Sequence, residues 1–491
     1  MSQSKKVLVY SHVPLWSVHH AETIEIVNSL VHSGHEVFLL SCLGDLASCP
    51  ANPTKDKFVC NLCSQQTTYS KSNLLPLNVN HLILNLSEEC DIQEMPTNFE
   101  GFRDFEYEGV PIGKMVLSQL VDELQDIYVE ESILQKRGKR EILSAVKLYK
   151  KTLSIIRESD IDEVYVWNGR RGCDGPVLYA GISEGKRVFS HISGSTPEKY
   201  AIFPEGGIHS TRIRMQLIED YYEKNTVGEL KNKYFKDGSD FFYRQRYTGQ
   251  TDLAAQWFGG NFETNNVDYF HTDRKKLVIF TSSYWEWIAA SGVEVPNDFR
   301  DPYNLLNTLI HDSNILEDYE IIIRWHPNLV NAGKHERRRM KEILSSDHDV
   351  LQFEPESNVD SYQLLLQADL VLTFGSTLGI EATYYGKTSV VAGPCGYMGL
   401  NSVYEPKDFR ELKNLLRQNL TPKPILNAIK YGSWNVNYGQ IYEYVKYDDQ
   451  SRDYELFGKR IKSKPKKNLR LQIQRMNFHF HRKLPRLMNR R

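Results

Sequence analysis

Ala368-Asp369-Leu370-Val371-Leu372-Thr373-Phe374-Gly375-Ser376-Thr377-Leu378-Gly379-Ile380-Glu381 is the stretch that decides the fold. The short run Ala368 to Leu372 reads as a strand buried in a parallel sheet. The residues after it open a helix with two glycines, two hydroxyls and unpaired backbone N–H groups, an anion cradle with the Glu381 carboxylate a turn deeper. About fifty residues upstream, the apolar run Tyr319 to Ile323 ends in Arg324-Trp325-His326-Pro327-Asn328. Both segments therefore sit where strands end and helices begin, which is where open α/β sheets bind ligands. Pro327 fixes the backbone just past its strand, and His326 is placed to donate to a phosphate or protonate a leaving group. Arg324, two residues earlier, adds a positive charge on the same side. A nucleotide or sugar phosphate is the ligand these residues suit.

Working outward, Leu277 to Phe280, Val350 to Phe353 and Ser389 to Ala392 supply further strands of the same α/β run. A second run opens the chain. Lys6 to Tyr10 is an apolar strand, Ser11 to His19 a polar loop, and Ile24, Val27, Leu30 and Val31 give an amphipathic helix that Gly34 ends. Glu36 to Ser41 completes a βαβ unit, and Glu163 to Trp167 is a later strand ending at Asn168-Gly169-Arg170. The fold class expected is α/β with two Rossmann-like lobes and a basic C-terminal tail. Residues 1–273 form an N-terminal lobe with a Cys-rich loop and a helical linker, 274–458 a C-terminal lobe, and 459–491 the tail.

The chain has 491 residues, 41% of them hydrophobic, enough for two cores. From Lys459 to Arg491 there are 13 Lys and Arg and no Asp or Glu; subtracting them from the net charge of -2 leaves -15 on the rest. The acidic body argues against a nucleic-acid partner, and no aromatic stacking motif accompanies the basic run. Leu469, Ile473, Met476 and Phe480 lie at helical spacing there, so the tail suits an anionic inner-membrane surface. No run of about 18 apolar residues exists, and His12 and Pro14 interrupt the N-terminal apolar stretch, so a cytoplasmic protein is expected, peripheral on the inner membrane's cytoplasmic face.

The segments Arg324 to Asn328 and Asp360 to Lys387 resemble the nucleotide-binding half of bacterial capsule and surface-polysaccharide biosynthesis proteins. These are similar to the two-domain GT-B glycosyltransferases, and more distantly to bacterial sialyltransferases and Kdo transferases. The resemblance implies that His326 and Ser376 or Thr377 contact the donor's phosphate and Glu381 its ribose, with Arg324 and Gly375 beside them. It also implies that the N-terminal lobe binds the acceptor, with the loop His12 to Glu22 facing an interlobe cleft. Transfer needs a base for the acceptor hydroxyl; His20 and Glu22 are the candidates, Glu22 slightly ahead. Asn168-Gly169-Arg170 resembles the same family's Asn-Gly-Arg, with Arg170 a candidate for the donor phosphates or an anionic sugar. The glycine-rich Gly172-Cys173-Asp174-Gly175-Pro176 departs from that family's helical start.

Cys42, Cys49, Cys60 and Cys63 fall within 22 residues, and Cys60-Asn61-Leu62-Cys63 has the spacing of a zinc knuckle, so a structural zinc is expected. The expectation is a glycosyltransferase needing no metal or other cofactor for catalysis. It moves a sugar from a nucleotide sugar to a surface-glycan or lipid-linked acceptor, of capsular or lipopolysaccharide type. A sugar-nucleotide 2-epimerase of the same fold and a non-catalytic subunit of a polysaccharide assembly are the alternatives.

Overall fold

Apolar runs without alternation become central strands, and here they build two sheets. The computed structural model describes residues 4–462 apart from 91, 93, 248–266, 287–294 and 346–349. Two units partition the chain: the first takes residues 1–123, 129–209 and 439 onward, the second 124–128 and 210–438.

In the first unit, β1 (Lys6–Ser11), β2 (Glu36–Ser41), β3 (Asn80–Ile83), β4 (Glu163–Trp167), β5 (Arg187–Ser193) and β6 (Lys199–Pro204) form one sheet. The spatial order is β3-β2-β1-β4-β5-β6, parallel as far as β5 and antiparallel at β6. Val7, Leu8, Val9 and Tyr10 are each 0% exposed, as a strand covered on both faces requires. Helix Ser17–His32 returns the chain and stops in a Schellman cap. Gly34 takes φ +83°, its N–H reaches Val31 O, and His35 N–H reaches Leu30 O, which is why glycine stands there.

The second unit repeats this plan with β7 (Lys275–Phe280), β8 (Tyr319–Arg324), β9 (Leu351–Phe353), β10 (Leu370–Thr373) and β11 (Thr388–Val391). Its order is β9-β8-β7-β10-β11, all parallel. Each sheet thus starts in its middle and reverses direction of growth, between β1 and β4 in one and between β7 and β10 in the other. The crevice at such a reversal is the binding position of doubly wound folds. The expected α/β class with two Rossmann-like lobes is what the chain forms.

Its boundaries differ from the expectation. The helices Thr211–Asn225 and Leu230–Tyr247, expected as a linker at the end of residues 1–273, belong to the second unit, packing on helix Ile425–Asn437. From Gly439 the chain rejoins the first unit: β12 (Gln440–Ile441) pairs with β6, and β13 (Val445–Asp448), β14 (Asp453–Leu456) and β15 (Lys459–Arg460) make a small antiparallel sheet. Tyr442, Val445, Tyr454, Leu456 and Ile461 join the core that holds Val7, Val9 and Ile24. The expected tail boundary at Lys459 therefore falls at the start of β15, within the first unit's small sheet; the expected helix around Leu469 to Phe480 lies outside the described residues. No helix among the described residues is long and apolar enough to cross a membrane.

Glu25 ties this returning segment down. It is 1% exposed, and its carboxylate accepts the backbone N–H groups of Glu443 (2.6 Å), Tyr444 (3.0 Å) and Val445 (2.8 Å). Glu25→Ala leaves those N–H groups without their acceptor, and we expect it to lower the first unit's unfolding free energy by about 3 kcal/mol in urea denaturation. A loss under about 1 kcal/mol would mean the segment is held by its apolar contacts instead.

Candidate active site

At the second unit's reversal, the residues after β7, β8 and β10 converge. Thr281 accepts the His326 N–H on its hydroxyl (2.8 Å) and gives its own N–H to the Arg324 carbonyl (3.2 Å), stitching the ends of β7 and β8. Trp325, 0% exposed, turns inward and donates from Nε1 to Gln352 Oε1 at 2.9 Å, leaving His326 half-buried at the sheet's C-terminal rim. His326 Nδ1 accepts the N–H of Asn328 at 3.2 Å and lies 3.3 Å from Ser283 Oγ. An amide can only donate, so the neutral ring carries its proton on Nε2. Burial, aided by the Arg324 charge, lowers its pKa to about 4. At neutral pH His326 is thus an uncharged N–H donor, which suits the first of its two expected roles, donating to a phosphate oxygen, and not the second, protonating a leaving group.

After β10, Gly375 has φ +98°, and a Cβ there would run into the Pro394 carbonyl oxygen. Ser376 Oγ accepts the Leu378 N–H at 3.3 Å, and its carbonyl accepts from Tyr397 Oη at 2.5 Å, so the turn into helix Leu378–Tyr384 is held from both sides. Thr377 is exposed at the helix start. Ser282, Tyr284, Phe374, Gly393 and Pro394 line a small recess at the same reversal. Gly375, Ser376, Thr377 and His326 are thereby gathered at one sheet edge.

Two donor-site expectations are corrected. Arg324 is 5% exposed, and its guanidinium donates to the carbonyls of Trp325 (2.8 Å), Glu354 (2.6 Å) and Ser357 (3.1 Å). It anchors the loop after β9 instead of presenting its charge to a phosphate. Glu381 is 2% exposed and accepts from the Tyr362 hydroxyl. Burial raises its pKa, and with its carboxylate enclosed it braces Tyr362 rather than meeting a ribose.

The first unit's reversal holds a different set. Glu22, 0% exposed, accepts from His19 Nδ1 (2.9 Å), His191 Nδ1 (2.9 Å) and Ser193 Oγ (3.0 Å). Burial alone would push this carboxyl up; His19 and His191 overcome that and bring it down to about 2. Glu22 is therefore a permanent anion that fixes both imidazoles with their protons on Nδ1. The His19 side chain is 22% exposed, and its ring lies 4.5 Å from that of Trp167. His20, by contrast, is 4% exposed, bonds Ser70 Oγ at 2.7 Å, and has a pKa lowered to about 4 by burial. As a base exposed to an acceptor it is overturned, and the imidazole that meets solvent is His19.

Asn168 and Gly169 are both left-handed, with φ +64° and +83°, and Asn168 Oδ1 contacts His209 Nε2 at 3.1 Å. Arg170 and Arg171 converge on Asp122 Oδ2 at 3.2 and 2.7 Å. Arg170, 8% exposed, is thus itself buried and ion-paired to the half-buried Asp122. The glycine-rich segment after it does start a helix, Gly175–Ser183, with Pro176 in its first turn.

The cysteines expected to hold zinc sit on a loop and a helix. Cys60 and Cys63 lie on helix Lys57–Asn73, not on a knuckle turn; Cys60 Sγ accepts from Asn52 Nδ2 at 3.2 Å, and Cys42 Sγ from the Gly44 N–H at 3.4 Å. Among the described residues the one group of three or more His, Cys, Asp or Glu ligand atoms within 4.8 Å of one another is His12, Cys173 and Asp174.

Sequence reasoning missed His191, Ser193, Thr281, Ser283 and Tyr362. Thr281-Ser282-Ser283 carried a signal, a hydroxyl run directly after an apolar strand. His191 and Ser193 alternate with Val188 and Ile192 on a strand whose pattern is too polar to stand out.

No protein-family model matches the chain, and no curated protein matches it. Among solved structures it is similar to Thermosulfurimonas dismutans KpsC, a beta Kdo 2,4 transferase, at 13% identity over 55% of this chain and 79% of that one, with a TM-score of 0.35. It is similar to the UDP-GlcNAc 2-epimerase of Methanocaldococcus jannaschii at 10% identity, over 87% and 98% of the two chains, with a TM-score of 0.27. The glycosyltransferase SnogD from Streptomyces nogalater gives 12% identity, 88% and 94% coverage, and a TM-score of 0.22.

The Glu22 charge has a measurable consequence. Its folded pKa near 2 lies below the ordinary 4.5, so the ionised form contributes fully above about pH 4.5, and that contribution is lost as pH falls through about 2. Acid unfolding followed by circular dichroism is expected to be steeper between pH 4.5 and 2 in the wild type than in Glu22→Gln. Parallel profiles would count against a buried carboxylate.

Proposed function

We propose that the chain is a glycosyltransferase that moves a sugar from a nucleotide-activated donor to a hydroxyl of a growing surface glycan, capsular or lipopolysaccharide-type. The observation that carries this is the Glu22-anchored imidazole of His19. Its Nδ1 proton is committed to Glu22, so Nε2 presents a lone pair, and the imidazolium formed on taking a proton is stabilised by a full buried negative charge. In the forward step Nε2 takes the acceptor hydroxyl's proton, the acceptor oxygen attacks the anomeric carbon, and the bond to the donor phosphate breaks. In the second unit, taken by itself, the His326 Nε2–H and the turn Gly375 to Thr377 are the groups suited to a nucleotide's phosphate. Glu22 acts through His19 and is a positioning residue. The basic stretch 459–491 supports a place beside an anionic lipid surface on the cytoplasmic face, where lipid-linked acceptors are met.

Turnover of a nucleotide sugar with a glycan acceptor tests this. His19→Ala is expected to lower kcat by about 10²- to 10⁴-fold while nucleotide binding, read by thermal shift, is unchanged. A product epimerised at C2 with no acceptor present would replace transfer with epimerisation. Gly375→Ala is expected to abolish the thermal shift given by whichever of CMP, UDP or GDP stabilises the wild type, because the left-handed turn and the Pro394 carbonyl exclude a side chain. A wild type that none of the three stabilises would refute the donor site.

A further inference from the structure

The buried trio His12, Cys173 and Asp174 takes no part in the chemistry above. His12 follows β1 at the first unit's reversal, and Cys173 and Asp174 immediately precede helix Gly175–Ser183. They are 2%, 2% and 0% exposed. Neither ring nitrogen of His12 has a hydrogen-bond partner among the described residues. Its Nε2 stands 3.6 Å from Asp174 Oδ2, beyond hydrogen-bonding distance, while the Cys173 thiol donates to the same oxygen at 3.8 Å. A buried imidazole without a partner is costly, and three ligating atoms facing one another at these separations leave a reason for it unfilled.

We infer that His12, Cys173 and Asp174 form a divalent metal site of the kind that takes zinc. Nitrogen, oxygen and sulfur ligands about 2.0–2.3 Å from a tetrahedral ion lie roughly 3.3–3.7 Å apart, close to the separations observed here. An imidazole, a thiolate and a carboxylate around a doubly positive ion sum to zero, so the complex can be buried without leaving a net charge. The surroundings fix the ligands: Asp174 Oδ1 accepts the Arg171 N–H at 2.7 Å, and the His12 ring stacks on Tyr10 at 4.9 Å and 9°. Arg171 does not oppose the ion outright, because its guanidinium is bonded to Asp122 through both Nε (3.2 Å) and a terminal nitrogen (2.7 Å). The ion would pin the loop after β1, which leads to His19, to the start of the helix after β4.

Metal analysis of the full chain, purified without a metal-affinity step, tests this. We expect about one zinc per chain in the wild type and in Cys60→Ser, and at least a roughly tenfold loss in Cys173→Ser and His12→Ala. Should those two variants fail to fold, the wild type loaded with cobalt decides: a tetrahedral spectrum with a single thiolate charge-transfer contribution is expected. A wild type that takes up neither zinc nor cobalt overturns the site. So does zinc that survives Cys173→Ser, or that leaves with Cys60→Ser, or a cobalt spectrum of two or more thiolates, since each of these returns the ion to the cysteine loop.

Discussion

A parallel sheet that begins in its middle must send neighbouring strands' connections to opposite faces, and the gap that opens between them is the constraint on which this chain depends. It occurs twice, between β1 and β4 and between β7 and β10. In each unit the polar residues of interest lie just past those strands: His12, Asn168 and Arg171 in one, Thr281 and Gly375 in the other. The strands themselves have no freedom to carry chemistry, since Val7 to Tyr10 and Leu277 to Phe280 are almost wholly enclosed. Function is pushed to their ends by packing.

The two gaps are filled by opposite electrostatic solutions. In the second unit the groups at the rim are neutral donors: hydroxyls and a histidine whose pKa burial has lowered to about 4. That suits a ligand that brings its own negative charge, because no protein charge must be desolvated before it arrives. In the first unit the charge is built in as Glu22, enclosed and satisfied by three donors. A carboxylate so held acts on whatever its imidazoles touch without itself leaving the interior.

Strand ends were the legible part of the sequence, because a run such as Tyr319 to Ile323 has one burial state and one direction to leave in. Glu36–Ser41 and Glu163–Trp167 can be read to the residue, and the cradle at Gly375 follows from its glycine and hydroxyls. What could not be read was the direction a charged side chain turns. Arg324 and Arg170 sit where phosphate-binding arginines would, yet one bonds three carbonyls and the other an aspartate nearly fifty residues away in sequence. His19 and His20 are neighbours, and only the helix's rotation decides which meets solvent and which meets Ser70. Pairings across long sequence separations, such as Glu22 with His191, leave no local trace.

The return of the chain at Gly439 orders events during synthesis. The amides that fill Glu25, the strand that caps β6 and the side chains that complete the core around Val7 are all encoded after Ser210–Tyr438. On the ribosome the first unit to begin is the last to finish: the second can close its sheet while β6 still shows a bare edge and Glu25 an unanswered charge. A nascent chain stalled before Gly439 would therefore present its aggregation-prone surface on the N-terminal unit alone, although that unit emerged first.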